Sequence, residues 1–347
     1  MSIKKILTSL EKSWERDEVL KTKQEDLIRY KDGSLYCELA DIWIDPSKPV
    51  RQALITHAHF DHFTFGCEEY FTTKETAILL KERVGANIKI KMFDYGEEFK
   101  INGINISFYP SGHILGSSQI RFIFAGEKWL ITGDYKLQKD ETCKKYEIVK
   151  TDYLISECTF GLPIFKWDES NKIANDISKW ITNSPEKTSL LFCYSLGKAQ
   201  RLLNEISQTN FKGNIYSHGS IHKMNNSYRE LGIDIKDTIK IENKKKIDEL
   251  KGSLILLPPS LSKGSYLKNF KNIQTAFASG WMSIRALRKR SGYDKGFAIS
   301  DHADWDGILE VVKKSEAKNV FFHHGDSEAL SKYLVEKESI NVLLFGK

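Results

Sequence analysis

The sequence predicts an α/β fold, because strand and helix patterns alternate along most of the chain. Several short apolar runs, such as 104–109 and 129–132, lead directly into residues that can bind metal. The segment 166–285 repeats strand and helix patterns in turn, which is typical of a small parallel-sheet domain. With 347 residues, the chain is long enough for one large domain or two ordinary ones.

The composition excludes several classes of protein. Hydrophobic residues make up 41% of the chain and charged residues 28%, which argues against a disordered tail and against a membrane protein. The N-terminus is too charged for a signal peptide. The five cysteines lack a C-x-x-C pair, which argues against a disulfide framework and fits a reducing, cytoplasmic location. The net charge of +6 permits an anionic partner without requiring one.

The strongest motif is H-x-H-x-D-H, which occupies residues 57–62 after a strand predicted at 50–55. In an extended segment His57 and His59 share a direction, Asp61 follows the same alternation, and His62 points elsewhere. The motif thus offers one pair of nitrogen ligands, from His57 and His59, and one oxygen–nitrogen pair, from Asp61 and His62. Two such pairs suit two neighbouring metal ions. Imidazole and carboxylate ligands favour zinc, with manganese as the alternative.

Two further predicted strands end in the same way. Residues 104–109 run into a turn that ends at His113, and residues 129–132 run into Gly133 and Asp134. Either feature alone is weak evidence, since an aspartate after glycine is usually a turn residue. Together, the order H-x-H-x-D-H, His, Asp resembles the metallo-β-lactamase fold, an αββα sandwich with metals at the loops of one sheet edge.

The resemblance implies roles for these residues. His57, His59 and His113 would hold the first metal. Asp61 and His62 would begin the second site, and Asp134 would bridge the two ions. A carboxylate-bridged pair of metals suits phosphodiester hydrolysis, in which Asp61 would also orient the attacking water.

The chain continues beyond the length of a simple metallo-β-lactamase hydrolase. The strand predicted at 153–157 ends in Glu157, and two segments after the insertion end at His302 and His324. This arrangement resembles the β-CASP family of metallo-β-lactamase nucleases, which carry an inserted α/β domain. By this resemblance His302 is the general acid, Glu157 fixes its tautomer and charge, and His324 completes the second metal site. All seven family motif positions are filled, which argues against a non-catalytic relative.

Several stretches resemble the bacterial ligase-associated DNA exonucleases, which are also labelled mRNA 3′-end processing factors. These stretches include residues 133–137, 156–163, 196–200, 278–282 and 300–305. The resemblance covers 27–347 and leaves 1–26 as an N-terminal extension that reads as a charged helix. It predicts a first metallo-β-lactamase part at 27–165, a β-CASP domain at 166–285 and a second metallo-β-lactamase part at 286–347. It also implies an ATP-dependent DNA ligase and a helicase as partners.

Candidate substrate contacts are less specific. The predicted helix start at 195–198 offers backbone N–H groups and Lys198, although it is not a P-loop. Arg285 and Arg288 belong to a basic cluster close to Trp281, which suits a groove that tracks a single-stranded backbone, although a solvated basic face is equally compatible. His218 also follows a predicted strand and precedes glycine, so it is an alternative to His324 as a ligand of the second metal. Within the insertion it would line the cleft or cap a helix.

The sequence therefore predicts a nuclease with two zinc ions, most specifically a single-stranded DNA exonuclease of DNA repair with no membrane association. A ribonuclease of the same fold is the first alternative, because contacts to a 2′-hydroxyl cannot be assigned from sequence. A small-molecule metallo-hydrolase is the second, although a small ester would need neither the inserted domain nor His302.

Overall fold

The computed structural model describes residues 27–241, 250–263 and 265–345. The charged helix predicted within residues 1–26 lies outside them. Three sheets and seven α-helices organise the described residues. No helix among these residues combines the length and apolar character that crossing a membrane requires.

The first sheet has six strands arranged in chain order. It contains β1 (Ile28–Lys31), β2 (Ser34–Cys37), β3 (Ile42–Ile44), β4 (Gln52–Leu54), β5 (Glu69–Thr73) and β6 (Ile90–Phe93). The strand predicted at 50–55 is β4. Helix α1 (Lys74–Val84) follows β5 and begins where the Thr73 side chain accepts a hydrogen bond from the Thr76 backbone N–H. It buries Leu79 and Leu80 against the outer face of this sheet.

The second sheet combines strands from before and after the insertion, in the order β19-β18-β11-β10-β9-β8-β7. The strands are β7 (Glu98–Ile101), β8 (Ile104–Pro110), β9 (Ser118–Phe124), β10 (Glu127–Ile131), β11 (Tyr153–Cys158), β18 (Asn319–Gly325) and β19 (Asn341–Leu343). Helices α6 (Trp305–Lys314) and α7 (Glu328–Glu338) bury Trp305, Ile308 and Leu330 in the apolar cluster that also holds Leu154 and Val320 of this sheet.

The two sheets pack face to face around one apolar layer. Leu54 and Phe71 of the first sheet join Phe122, Trp129 and Ile155 of the second in a single buried cluster. Alternate residues of each strand enter this layer, as expected for sheets covered on both faces. With helices outside both sheets, the predicted αββα sandwich is confirmed.

The third sheet is entirely parallel, with the order β14-β13-β15-β12-β16-β17. Its strands are β12 (Thr188–Phe192), β13 (Ile215–Ser217), β14 (Ile239–Lys240), β15 (Leu254–Leu257), β16 (Ile273–Ala278) and β17 (Lys295–Phe297). The accompanying helices are α2 (Ser170–Thr182), α3 (Lys198–Ser207), α4 (Gly219–Glu230) and the short α5 (Arg285–Arg290). The predicted inserted parallel sheet is therefore present.

The insertion ends later than the predicted boundary at 285/286. Strand β17 pairs with β16 through Ala276–Lys295 and Ala278–Phe297, so residues up to Phe297 belong to the third sheet. The sequence signal was weak, because β17 has only three residues and its glycine interrupts the apolar pattern.

Parallel pairing places the candidate ligands at one edge of the sandwich. Strands β10, β11 and β18 are mutually parallel, so their carboxyl ends meet at the same edge. Asp134, Glu157 and His324 lie at or just after these ends.

Candidate metal centre

Three histidine side chains converge on one point at this edge. His57 Nε2 and His113 Nε2 each lie 3.1 Å from His59 Nδ1. Zinc with tetrahedral ligands at about 2.0–2.1 Å would separate neighbouring nitrogens by roughly 3.3–3.4 Å, close to these distances. Asp134 Oδ2 lies 3.7 Å from both His57 Nε2 and His113 Nε2. The four side chains therefore fit a metal ion by spacing and by donor type.

The other nitrogen of each ring has a partner that fixes its orientation. His113 Nδ1 lies 2.7 Å from the Asp301 carbonyl oxygen, and His59 Nε2 lies 3.0 Å from the Leu196 carbonyl oxygen. Since a carbonyl can only accept, both of these nitrogens carry hydrogen and leave the facing nitrogens free to bind metal. His57 Nδ1 is 3.0 Å from the Thr56 hydroxyl.

Asp134 also faces a second group of ligands. Its Oδ2 lies 3.3 Å from His62 Nε2, while His62 Nδ1 lies 2.8 Å from Asp45 Oδ2. The His324 ring lies 5.3 Å from the His62 ring, measured between centroids. Asp61, His62, Asp134 and His324 line the same cavity. The residues predicted for the second site thus line one cavity, in which Asp61 is exposed.

A β-bulge determines which of two adjacent histidines faces the cavity. In the pairing of β11 with β18, Glu157 is opposite His323 and Cys158 is opposite Gly325, so the register skips His324. His324 has a φ of 54°, and a Cβ on Gly325 would lie 2.2 Å from the Cys158 carbonyl oxygen. The close approach therefore requires glycine after His324, which explains the His-Gly step.

His302 stands beside this centre and is held by Glu157. His302 Nδ1 lies 2.8 Å from Glu157 Oε1, and His302 Nε2 lies 3.9 Å from Asp134 Oδ2. Glu157 is buried and also accepts hydrogen bonds from the backbone N–H groups of Tyr135 and Thr159. These bonds fix the carboxylate, so the His302 ring can present Nε2 towards the cavity.

The electrostatics of the site follow from its burial. Burial lowers the pKa of His57 and of His113 well below the ordinary histidine value, so both rings are neutral, as metal ligands must be. Burial alone would raise the pKa of Asp134, but His62 and His302 hold it well below its usual range. Burial alone would lower the pKa of His302, but Glu157 and Asp134 raise it to about 9.

The centre opens into a cavity of about 230 Å³ between the sandwich and the third-sheet segment. Four candidate ligands line this cavity, namely Asp61, His62, Asp134 and His324. With His302, the other wall residues are Thr159, Phe160, Tyr194, Lys198, residues 279–281 and Ser300. Tyr194 and Trp281 are 53% and 41% exposed, so both rings present surface at this opening. Phe160 packs against Trp281, with their ring centroids 4.9 Å apart.

Lys198 differs from its predicted role. Its ammonium lies 2.9 Å from Asp301 Oδ2 and donates to the Ile299 carbonyl oxygen, and its side chain is almost completely buried. The side chain lines the cavity, but its charge is neutralised by Asp301, so we assign it to the protein interior and not to the substrate phosphate.

The other candidate substrate residues lie at separate places. His218 is the N-cap of α4, where its Nδ1 accepts a hydrogen bond from the Ser220 backbone N–H, and it is outside the described cavity lining. The helix-capping alternative is therefore confirmed. Arg285 and Arg288 lie exposed on α5, which begins four residues after Trp281.

Sequence reasoning missed three residues that orient the ligands. Asp45 accepts from Thr56 and contacts His62. The Lys136 ammonium donates to the carbonyl oxygens of Gly112 and His113. Asp301 contacts His113 through its backbone. Asp45 could have been found, because it directly follows β3 and so repeats the pattern of a strand that ends in an acid.

The relatives found by comparison carry names of two kinds: one is named a DNA ligase, and the others are named for RNA cleavage. A protein named probable DNA ligase from Opitutus terrae is 26% identical over 315 residues, covering 89% of this chain. RNase aCSPSF2 of Saccharolobus solfataricus is 24% identical over an alignment of 364 residues, covering 83% of this chain and 72% of that protein. Cleavage and polyadenylation specificity factor 73 of Drosophila melanogaster is 32% identical over 119 residues, or 33% of this chain.

These relatives are mostly longer than the matched region. The chain spans 30% of the length of the Opitutus protein and 17% of the Drosophila protein. No family model matches the chain. In its sandwich with an inserted parallel sheet, its candidate ligands at one sheet edge and its relatives, the chain is similar to the metallo-β-lactamase/β-CASP nucleases.

Proposed function

We propose that this protein is a metal-dependent nuclease that shortens single-stranded DNA from an end. The observation that carries the proposal is one cavity that is lined by four candidate ligands, by His302 and by two exposed aromatic rings. A bound metal pair would polarise the phosphodiester and activate the attacking water. We infer zinc as the native metal from the imidazole-rich ligands, with manganese as the alternative.

The chain's own residues supply the remaining chemistry. His57, His59 and His113 would hold one ion, Asp61, His62 and His324 the other, and Asp134 both. His302 Nε2 is available to donate a proton to the leaving oxygen, while Glu157 keeps the His302 ring in position. Asp61 is exposed in the cavity, where it can orient the attacking water.

The two exposed aromatic rings in the cavity favour a single-stranded substrate. A base on a duplex is already stacked, whereas a free base can stack on an exposed aromatic ring such as Trp281 or Tyr194. DNA is favoured over RNA because a relative that matches 89% of this chain is named probable DNA ligase. We further propose a cytoplasmic role in DNA repair beside an ATP-dependent DNA ligase and a helicase.

Ribonuclease activity is the second candidate function, favoured by the match to RNase aCSPSF2 over most of both chains.

The proposal is tested by digestion of end-labelled single strands. DNA and RNA of the same sequence are incubated with zinc- or manganese-loaded protein, and products are resolved to single nucleotides. We expect a ladder that shortens from one end on DNA and slower digestion of RNA. Labels at the 5′ and 3′ ends report the polarity. Faster digestion of RNA would favour the ribonuclease candidate, and no digestion of either strand would reject nuclease activity.

Arg288→Gln is expected to weaken binding of single-stranded DNA and to reduce its salt dependence. If Arg288 neutralises one phosphate, the slope of log affinity against log salt falls by about 0.7 for a single strand. Binding is measured by fluorescence anisotropy at several salt concentrations. Hydrolysis of bis-p-nitrophenyl phosphate serves as the control and should be nearly unchanged, because no residue of α5 lines the cavity.

Trp281→Ala provides a contrast, because stacking carries no charge. We expect this variant to lose about 1–3 kcal/mol of binding free energy while keeping the wild-type salt slope. Equal losses of the small-phosphodiester reaction in both variants would show that these residues support the fold and not a polymer groove.

A further inference from the structure

We propose that the inserted segment completes the outer coordination sphere of the first metal site, through the loop before α3 and the buried ion cluster behind it. Leu196, Gly197, Lys198 and Arg201 would thus be positioning residues for metal retention. This role goes beyond the proposed nuclease function, because it concerns how the metal is held and is independent of which nucleic acid is cleaved.

The first contact joins the inserted segment directly to a metal ligand. Leu196 follows β12 of the third sheet, and its carbonyl oxygen accepts a hydrogen bond from His59 Nε2 at 3.0 Å. His59 belongs to the sandwich, 137 residues earlier in the chain. This bond fixes the His59 ring with Nδ1 towards His57 and His113. Partners of this kind commonly determine the tautomer and orientation of a ligating histidine.

The second contact requires a glycine. Gly197 has a φ of +85°, and a Cβ at this position would lie 2.1 Å from Ile114 Cγ2 and 3.9 Å from His59 Nε2. Ile114 directly follows the ligand His113. The absence of a side chain at Gly197 therefore lets the inserted segment approach both ligand-bearing loops closely enough for the Leu196 carbonyl to reach His59.

The third contact is an ion cluster buried between the two parts of the molecule. Lys198 and Arg201 lie on α3 of the insertion, and both face Asp301 on the returning chain. Lys198 Nζ is 2.9 Å from Asp301 Oδ2, and one Arg201 nitrogen is 3.4 Å from Asp301 Oδ1. Arg201 also donates to the Ser300 carbonyl oxygen at 2.6 Å. All three charged side chains are at most about 5% exposed.

This cluster is linked to a second metal ligand. The backbone carbonyl of Asp301 accepts the hydrogen bond from His113 Nδ1 at 2.7 Å. Anchoring of Asp301 by Lys198 and Arg201 therefore holds the acceptor that orients His113. Separating these partners would leave an uncompensated buried charge, so the cluster holds Asp301 against α3. Two of the three histidines of the first site thus depend on α3 and the loop before it.

The test measures metal retention without nucleic acid. Wild type, Gly197→Ala and Lys198→Met are loaded with zinc, and transfer of zinc to a chromogenic chelator is followed over time. We expect the variants to release one ion per chain roughly 10–100-fold faster than wild type, the usual cost of losing an outer-sphere partner. Absorption of the cobalt-loaded proteins should change in band position or intensity, because the ligand geometry is altered.

Gly252→Ala is the matched control. Gly252 also has a positive φ of +68°, and it lies in the inserted segment just before β15, at the opposite edge of the third sheet from Leu196. We expect it to retain zinc as wild type does. Lys198→Arg keeps the charge opposite Asp301 and should restore part of the retention lost in Lys198→Met.

Wild-type release rates in folded Lys198→Met and Gly197→Ala would overturn the proposal. Equally fast release from Gly252→Ala would also overturn it, because general destabilisation would then explain the loss. If Gly197→Ala does not fold, the comparison of Lys198→Met with Lys198→Arg decides. Failure of the nuclease assay alone leaves these metal measurements unaffected, so the two proposals are tested separately.

Discussion

Asp134→Ala is expected to abolish nuclease activity and to reduce bound metal from two ions per chain to one or none. Asp134 Oδ2 lies within 3.9 Å of the facing nitrogens of His57, His62, His113 and His302, so no other described carboxylate is equally central. The loss should exceed the roughly 10–100-fold typical of outer-sphere partners, since the proposed bridging ligand is removed. Metal is measured by elemental analysis after dialysis of loaded protein.

Asp152→Asn is the control for this change. Asp152 precedes β11 at the opposite edge of the same sheet, where its carboxylate accepts a hydrogen bond from the Lys128 backbone N–H. We expect this variant to bind two ions and to keep its activity. Retention of both ions by Asp134→Ala would refute the bridging role. Wild-type protein that saturates at a single ion would show that Asp61, His62 and His324 do not form a second site.

His302→Ala is expected to lose turnover by about 10²–10⁴-fold while both metals remain bound. The His302 Nε2 atom points towards the cavity, and its Nδ1 atom is fixed by the buried Glu157 carboxylate at 2.8 Å. Removal of this ring takes away the proposed proton donor and leaves His57, His59 and His113 intact. Turnover on labelled single-stranded DNA and the metal content of the same preparation are the two measurements.

The leaving group distinguishes proton donation from other roles of His302. A p-nitrophenolate leaves without needing a proton, so bis-p-nitrophenyl phosphate should be hydrolysed by His302→Ala with a much smaller loss than DNA. An equal loss on both substrates would argue against a general acid. Loss of one metal ion from His302→Ala would instead identify His302 as a ligand, in keeping with its proximity to Asp134 and Glu157.

Part of the candidate centre can be predicted from short stretches of sequence, and Glu157 at the end of its strand is an example. The candidate ligands could be predicted from the sequence by itself, because the type and order of side chains at strand ends are local features. H-x-H-x-D-H at 57–62, Asp134 and Glu157 each follow or end an apolar strand. Parallel pairing then brings the ends of β10, β11 and β18 to one edge, as the α/β pattern predicts. The inserted parallel sheet was likewise predictable from its repeated strand and helix patterns.

Only the tertiary structure decided which charges are available to a substrate. Lys198 reads as a free cation at a helix start, yet Asp301, more than 100 residues later, lies 2.9 Å from its ammonium. The Leu196 carbonyl that orients His59 comes from a backbone atom, which no side-chain pattern can reveal. The end of the insertion at Phe297 also depends on pairing with a distant strand. These features arise from contacts between segments far apart in sequence, whereas ligand type and strand ends are encoded where they occur.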